Sequence, residues 1–173
     1  MLNDWSLDTQ LQLVLPASVA VGPATSMLET ARDDEDWRAV EELFRIDHIE
    51  EDRRAGRGER SVSETHAAVL LRRSLVPATY FVAHRDSRAV GCIGVWTRSD
   101  GAAMIEDVFV HPEARGEGLA TEMLRFAIGV ARGRGSGPVL IGAEVDDTPK
   151  RLYARFGFRP TAVTRSYSAS RAG

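Results

Sequence analysis

Gly116 and Gly118 constrain this chain most, because of what stands on either side of them. Met104 to Val110 is an apolar run of strand character. Leu119 to Arg132 carries apolar residues at helical spacing. Between them lies Arg115-Gly116-Glu117-Gly118-Leu119-Ala120. A strand, a glycine-rich turn and a helix start form a phosphate-binding device: small residues let backbone N–H groups approach an anion, and a helix N-terminus favours negative charge. The spacing Arg-x-x-Gly-x-Ala matches neither the dinucleotide fingerprint nor the P-loop with its Lys-Ser/Thr ending.

The 173 residues suit one domain, or one with an extension, and at 43% hydrophobic they can bury a core. A net charge of −3 without a basic-aromatic pattern gives no argument for nucleic acid or a membrane surface. The single cysteine, Cys92, excludes an internal disulfide framework and a Cys-based zinc site. It lies in the apolar run Ala89 to Trp96 and reads as a small buried hydrophobe. His48, His66, His84 and His111 are scattered without metal-ligand spacing, so no metal is expected. No apolar run reaches membrane-span length and no Lys or Arg precedes Arg32, which points to the cytoplasm.

Residues 1–24 read as an N-terminal arm. Leu11, Leu13 and Leu15 alternate as in a short strand, but Pro16, Gly22 and Pro23 break it up. Met27 to Ala31 suits a first strand. Asp33 or Asp34 opens a helix that buries Trp37, Val40, Leu43, Phe44 and Ile46. Arg53 to Arg60 is a polar loop, and Ser61-x-x-Glu64 is a capping box for a second helix ending near Val76-Pro77. Tyr80 to Ala83, Ala89 to Thr97 and Ala103 to Val110 read as a meander with turns at Asp86-Ser87 and Ser99-Asp100-Gly101. After the glycine-rich turn comes a helix with Ala120, Met123, Leu124, Ala127, Ile128 and Ala131 on its stripe. Gly133, Gly135, Gly137 and Pro138 stop it. Val139 to Val145 is a strand, Thr148-Pro149 starts a short helix that Gly157 ends, and Thr161 to Ser168 is a last strand. Residues 169–173 are expected to fray.

Three segments then stand out: Ile105-Glu106-Asp107-Val108-Phe109-Val110-His111-Pro112, Arg115 to Ala120, and Leu152-Tyr153-Ala154-Arg155-Phe156-Gly157-Phe158. In this order and spacing the chain resembles the GNAT superfamily of acetyl-CoA-dependent N-acetyltransferases over residues 25–168. The resemblance implies an α/β fold, with a mixed, mostly antiparallel central sheet and helices on both faces.

It also implies a division of chemical labour. Backbone N–H groups of Arg115, Gly116, Gly118, Leu119, Ala120 and Thr121 would hold the pyrophosphate of acetyl-CoA. The backbone near Val108 would face the thioester oxygen, and Val110 would pair with the pantetheine arm. An alkylammonium must lose a proton before it attacks, at a cost of about 4 kcal/mol for a pKa about three units above neutral. A carboxylate can take that proton, and Glu106 is the candidate, with Asp107 as the alternative. Regular alternation would send the two acids to opposite faces, while the β-bulge that the family has here would undo that parity. Each could instead be solvent-facing or salt-bridged. Tyr153 would be the general acid at the sulfur, or else a half-buried core aromatic. The family often has Asn before this Tyr, where this chain has Asp146-Asp147-Thr148-Pro149. Glu117 reads as tolerated beside the anion, with its side chain toward solvent. His111 reads as a surface or strand-end residue.

Eleven of the 25 acids fall between Glu29 and Asp52. They make either a lip that attracts a cationic amine or a solvated helix face. The four arginines from Arg53 to Arg60 suit contact with an acceptor carboxylate, or a solvated loop. The expected reaction is transfer to a primary amine of a small molecule by direct attack in a ternary complex. Protein or peptide N-acetylation and a non-catalytic acyl-CoA-binding module are the alternatives. Nothing in the sequence excludes a homodimer.

Overall fold

The computed structural model describes residues 5–74, 78–144 and 149–169. In chain order the elements are β1 (Trp5–Leu15), β2 (Glu29–Thr30), α1 (Asp34–Arg54), α2 (Val62–Ser74), β3 (Ala78–Arg85), β4 (Arg88–Thr97), β5 (Ala103–Val110), a 3-10 turn at Pro112–Ala114, α3 (Leu119–Gly133), β6 (Val139–Glu144), α4 (Pro149–Phe156) and β7 (Arg159–Ala169). The sheet runs β2-β3-β4-β5-β6-β1-β7. Among the described residues β5 and β6 form its one parallel pair, joined by α3, and the other pairings are antiparallel.

Local chemistry sets the elements. Asp33 caps α1 by accepting from the Glu35 and Asp36 amides, and Asp36 returns the bond to the Asp33 amide. Ser61 and Glu64 do the same for α2. Asp86 and Ser87 both take positive φ, +49° and +63°, in the turn from β3 to β4, which suits the twist of a hairpin.

The sheet separates two cores. Met123, Leu124, Ala127, Ile128 and Ala131 of α3 bury against Leu13, Leu15, Ile93, Ile105 and Ile141, with Tyr153 and Phe158 in the same cluster. On the other face Val40, Leu43 and Phe44 of α1 and Val69 of α2 pack on Tyr80, Val82, Cys92 and Phe109. Cys92 is fully buried.

The amino-terminal segment differs from the expected arm. Trp5–Leu15 lies inside the sheet, paired antiparallel with β6 on one side and β7 on the other. Pro16 therefore ends a long strand instead of interrupting a short one. The strand expected over Met27 to Ala31 shrinks to two residues, paired with Phe81 and Val82. The expected end of α2 at Val76-Pro77, Val145, and the Thr148 cap lie outside the described residues.

Candidate active site

The parallel pair that α3 joins is short. Ala103, Met104 and Ile105 pair with Val139, Leu140 and Ile141, and no pairing between β5 and β6 follows among the described residues. Where the strands part, a cleft of about 960 Å³ opens. Its walls come from β5, β6, the turn before α3, the first residues of α3, α4, and α1 with α2. All ten residues expected at the site line it: Glu106, Val108, Val110, Arg115, Gly116, Gly118, Leu119, Ala120, Thr121 and Tyr153.

Gly116 and Gly118 take φ of +80° and +86°, the left-handed region that glycine enters without steric cost. A Cβ built on either meets no atom within 4 Å, so the space before them is open. Among the described residues the amides of Gly116, Glu117, Gly118, Leu119 and Ala120 have no hydrogen-bond acceptor. Five free donors at the start of a helix, with open space before two glycines, fit a pyrophosphate. Arg115 and Thr121 line the cleft differently. The Arg115 amide donates to Pro112 O at 3.3 Å and the Thr121 amide to Gly118 O at 2.9 Å. The Arg115 guanidinium holds Glu50 of α1 at 3.1 and 2.6 Å, while its Nε donates to Val110 O at 2.9 Å. The Glu117 side chain goes to Arg85 at 2.6 Å and does not line the cleft.

A bulge in β5 decides where the two acids point. Cys92 pairs with Phe109 and Gly94 with Glu106, so Ile93 faces both Asp107 and Val108. Asp107 takes φ of +51°. Before the bulge Ala103 and Ile105 face the α3 core; after it Val108 and Val110 do, and Phe109 faces the α1 core. Glu106 stands opposite Gly94, itself opposite Tyr80. A Cβ on Gly94 would lie 3.0 Å from the Tyr80 ring, which fixes this row on the α1 side. The extra residue sends Asp107 to the same side. There Arg72 of α2 donates to both of its carboxylate oxygens, at 2.8 and 3.0 Å, and the Tyr80 hydroxyl donates to it as well.

Asp107 is thus occupied, while Glu106 has no ion pair or hydrogen bond among the described residues. Burial pushes the Glu106 carboxyl above its ordinary value, the Asp107 charge adds to the rise, and Arg72 opposes it. Tyr153 is buried on α4 with its ring 6.1 Å from that of Phe158. The Asp146–Thr148 segment lies outside the described residues.

Several residues were not singled out one by one, although an acidic lip over Glu29 to Asp52 was one of the two readings of the sequence. Asp47, Glu50, Glu51 and Arg54 of α1, with Arg72, line the cleft. Burial pushes Asp47 up to about 7, with the charges of Glu51, Asp107 and Glu50 adding to it. The arginine loop is exposed except at Arg60, and its side chains pair with acids of the protein. Arg60 and Arg57 hold the buried Asp52, Arg60 also reaches Glu51 at 2.5 Å, and Arg53 holds Glu59. His111 stands at the end of β5, as one of its two readings had it, and is buried there instead of lying on the surface. Its Nδ1 accepts from the Glu113 amide at 3.3 Å and its Nε2 meets Arg88 at 3.1 Å. Among the described residues no group of three His, Cys, Asp or Glu is placed to hold a metal. No described helix is long and apolar enough to cross a membrane.

A mostly antiparallel sheet that parts beside a strand, a glycine turn and a helix start is the scaffold of the GNAT acetyltransferase class. Residues 77–160 match the family model described as acetyltransferase (GNAT) domain. Over 91 residues the chain is 28% identical to a Bacillus subtilis (strain 168) protein provisionally named a [ribosomal protein bS18]-alanine N-acetyltransferase, covering 52% of this chain and 60% of that one. Its fold superposes with a TM-score of 0.67, at 18% identity, on a GNAT-family protein of Novosphingobium aromaticivorans, provisionally an acetyltransferase, covering 95% of this chain and 66% of the other. A GCN5-related N-acetyltransferase from Sphaerobacter thermophilus superposes with a TM-score of 0.64 at 20% identity, over 98% of this chain and 54% of that one. The chain thus spans less than two thirds of each of these relatives. It carries a GNAT acetyltransferase domain over residues 77–160.

Proposed function

We propose that this protein transfers the acetyl group of acetyl-CoA to a primary amine of a small molecule, by direct attack in a ternary complex. The observation that carries the reading is one cleft lined both by the turn with five unbonded amides and by the unpaired carboxylate of Glu106. Bound acetyl-CoA supplies a thioester carbonyl carbon open to a neutral amine. The amides from Gly116 to Ala120 hold the pyrophosphate, with the helix start of α3 behind them. Glu106 takes the ammonium proton, and its upward shift makes it a stronger base near neutral pH. The backbone N–H at Val108 receives the charge that develops on the carbonyl oxygen, Val110 borders the pantetheine arm, and the Tyr153 hydroxyl gives a proton to the sulfur.

Acceptance of a protein or peptide N-terminus is the second reading. The Bacillus relative's name, that of an alanine N-acetyltransferase for a ribosomal protein, favours it. A thiol-release assay with a panel of small primary amines and with alanine-terminated peptides tests both. Release with small amines is the expected result. Release with peptides alone would move the acceptor to protein. Acetyl-CoA binding by calorimetry without release for either group would leave an acyl-CoA-binding module.

A further inference from the structure

We propose that Asp47 is a recognition residue for the acceptor: it holds the distal cationic group of a diamine whose attacking nitrogen lies at Glu106. The inference rests on the acetyltransferase reading and adds the acceptor class. Six acids line the cleft: Asp47, Glu50, Glu51, Glu106, Asp107 and Glu144. Three are ion-paired with arginines, Glu50 with Arg115, Glu51 with Arg60 and Asp107 with Arg72. Glu144 is exposed on β6. Asp47 and Glu106 remain, neither with an ion pair or hydrogen bond among the described residues. They stand on different elements, α1 and β5, and the charge of Asp107 acts on both.

Among the described residues no cation comes within ion-pair distance of Asp47. Glu50, Glu51 and Asp107 repel its charged form, and Arg54 of its own helix is the countercharge that acts on it without coming within ion-pair distance. Burial and these neighbours hold its carboxyl near neutrality, at about 7. An ammonium group placed there restores the charge balance that the protein leaves open. A monoamine needs Glu106 alone; an acceptor with a second ammonium group meets both free carboxylates. Arginines already hold Glu50, Glu51 and Asp107, so those acids do not compete for the second cation.

The test compares α,ω-diaminoalkanes with monoamines of equal length in the thiol-release assay, using wild type, Asp47→Asn and Asp47→Glu. Wild type is expected to favour a diamine by about ten- to a hundred-fold in kcat/KM, the range of a charge-assisted hydrogen bond. That preference is expected to fall to about one in Asp47→Asn through a higher diamine KM, and to return in part in Asp47→Glu. Acetyl-CoA affinity by calorimetry is expected to hold. Equal wild-type kcat/KM for diamines and monoamines would overturn the inference without recourse to any variant. So would an Asp47→Asn enzyme that keeps the diamine preference. In both results the acetyltransferase reading stands, because amines still release thiol. Failure of every amine in the panel would overturn this inference together with the small-molecule acceptor.

Discussion

Arg72 holds Asp107 through two parallel bonds, Nε to Oδ2 at 2.8 Å and Nη2 to Oδ1 at 3.0 Å, and so ties α2 to the bulge of β5. The Tyr80 hydroxyl donates to the same carboxylate, and the Arg72 guanidinium lies 4.8 Å from the centre of the Phe44 ring. This grip sets the left-handed residue beside Glu106. Arg72→Ala leaves a partly buried carboxylate short of two charged donors. A loss of about 1–3 kcal/mol is expected, seen as a lower Tm at about 2–4 °C per kcal/mol. Asp107→Asn is expected to lower stability and, with Glu106 as the proposed base, to keep the acidic limb of the turnover profile but move it to lower pH, because the Asp107 charge that adds to the rise of the Glu106 carboxyl is gone.

Gly118 is where sequence and backbone agree most closely. Its φ of +86° makes any side chain costly, by roughly 1–2 kcal/mol for Ala. Gly118→Ala is expected to show that loss in thermal unfolding. Gly118→Asp adds a carboxylate where the cleft is to hold a pyrophosphate, so calorimetry is expected to find no acetyl-CoA binding by the folded variant.

Tyr153→Phe keeps the ring against Phe158 and removes the hydroxyl. If the hydroxyl gives the proton to sulfur, turnover falls by roughly ten- to a thousand-fold, with Tm and acetyl-CoA affinity steady. A loss of about 1 kcal/mol of stability with full turnover would assign the hydroxyl to the core.

Asp52 is expected to contribute to acid stability. Hydrogen bonds from the Arg60 side chain and amide hold its carboxyl down to about 2, from an ordinary 3.8. Because the folded value is depressed, its contribution is present above the ordinary value and is lost as pH falls through about 2. Arg60→Ala raises the folded value. Acid unfolding followed by circular dichroism is then expected to begin at a higher pH than in wild type.

The sequence made the second half of the fold legible because its signals are local. Glycines sit at positive φ, apolar residues recur at helical spacing on α3, and turn residues close each hairpin. The same locality hid β1. Trp5–Leu15 earns its place by pairing with β6 and β7, both more than a hundred residues away, and the breakers Pro16, Gly22 and Pro23 made the segment read as an arm. Glu106 and Asp107 were legible as a pair but not as separate roles. That choice rests on Arg72, 35 residues upstream of Asp107, and on a bulge that alternation does not show. Asp47 and Glu50 read either as an acidic lip or as a solvated helix face, and Arg54 as part of a loop, until the helix is laid against the opening of the sheet. Arg57 and Arg60 read as a solvated loop, because nothing local announces that Asp52 is buried beneath them.

The most direct test is the pH dependence of kcat/KM for a small primary amine, in wild type and in Glu106→Gln. Below the pKa of Glu106, which lies above the ordinary 4.5, two protons must leave, one from the amine and one from the carboxyl. The logarithm of kcat/KM is then expected to rise with pH at a slope of about two in wild type, and of about one in Glu106→Gln, with a rate loss of roughly a hundred- to ten-thousand-fold. A folded Glu106→Gln variant with the wild-type rate and slope would contradict the assignment of the base.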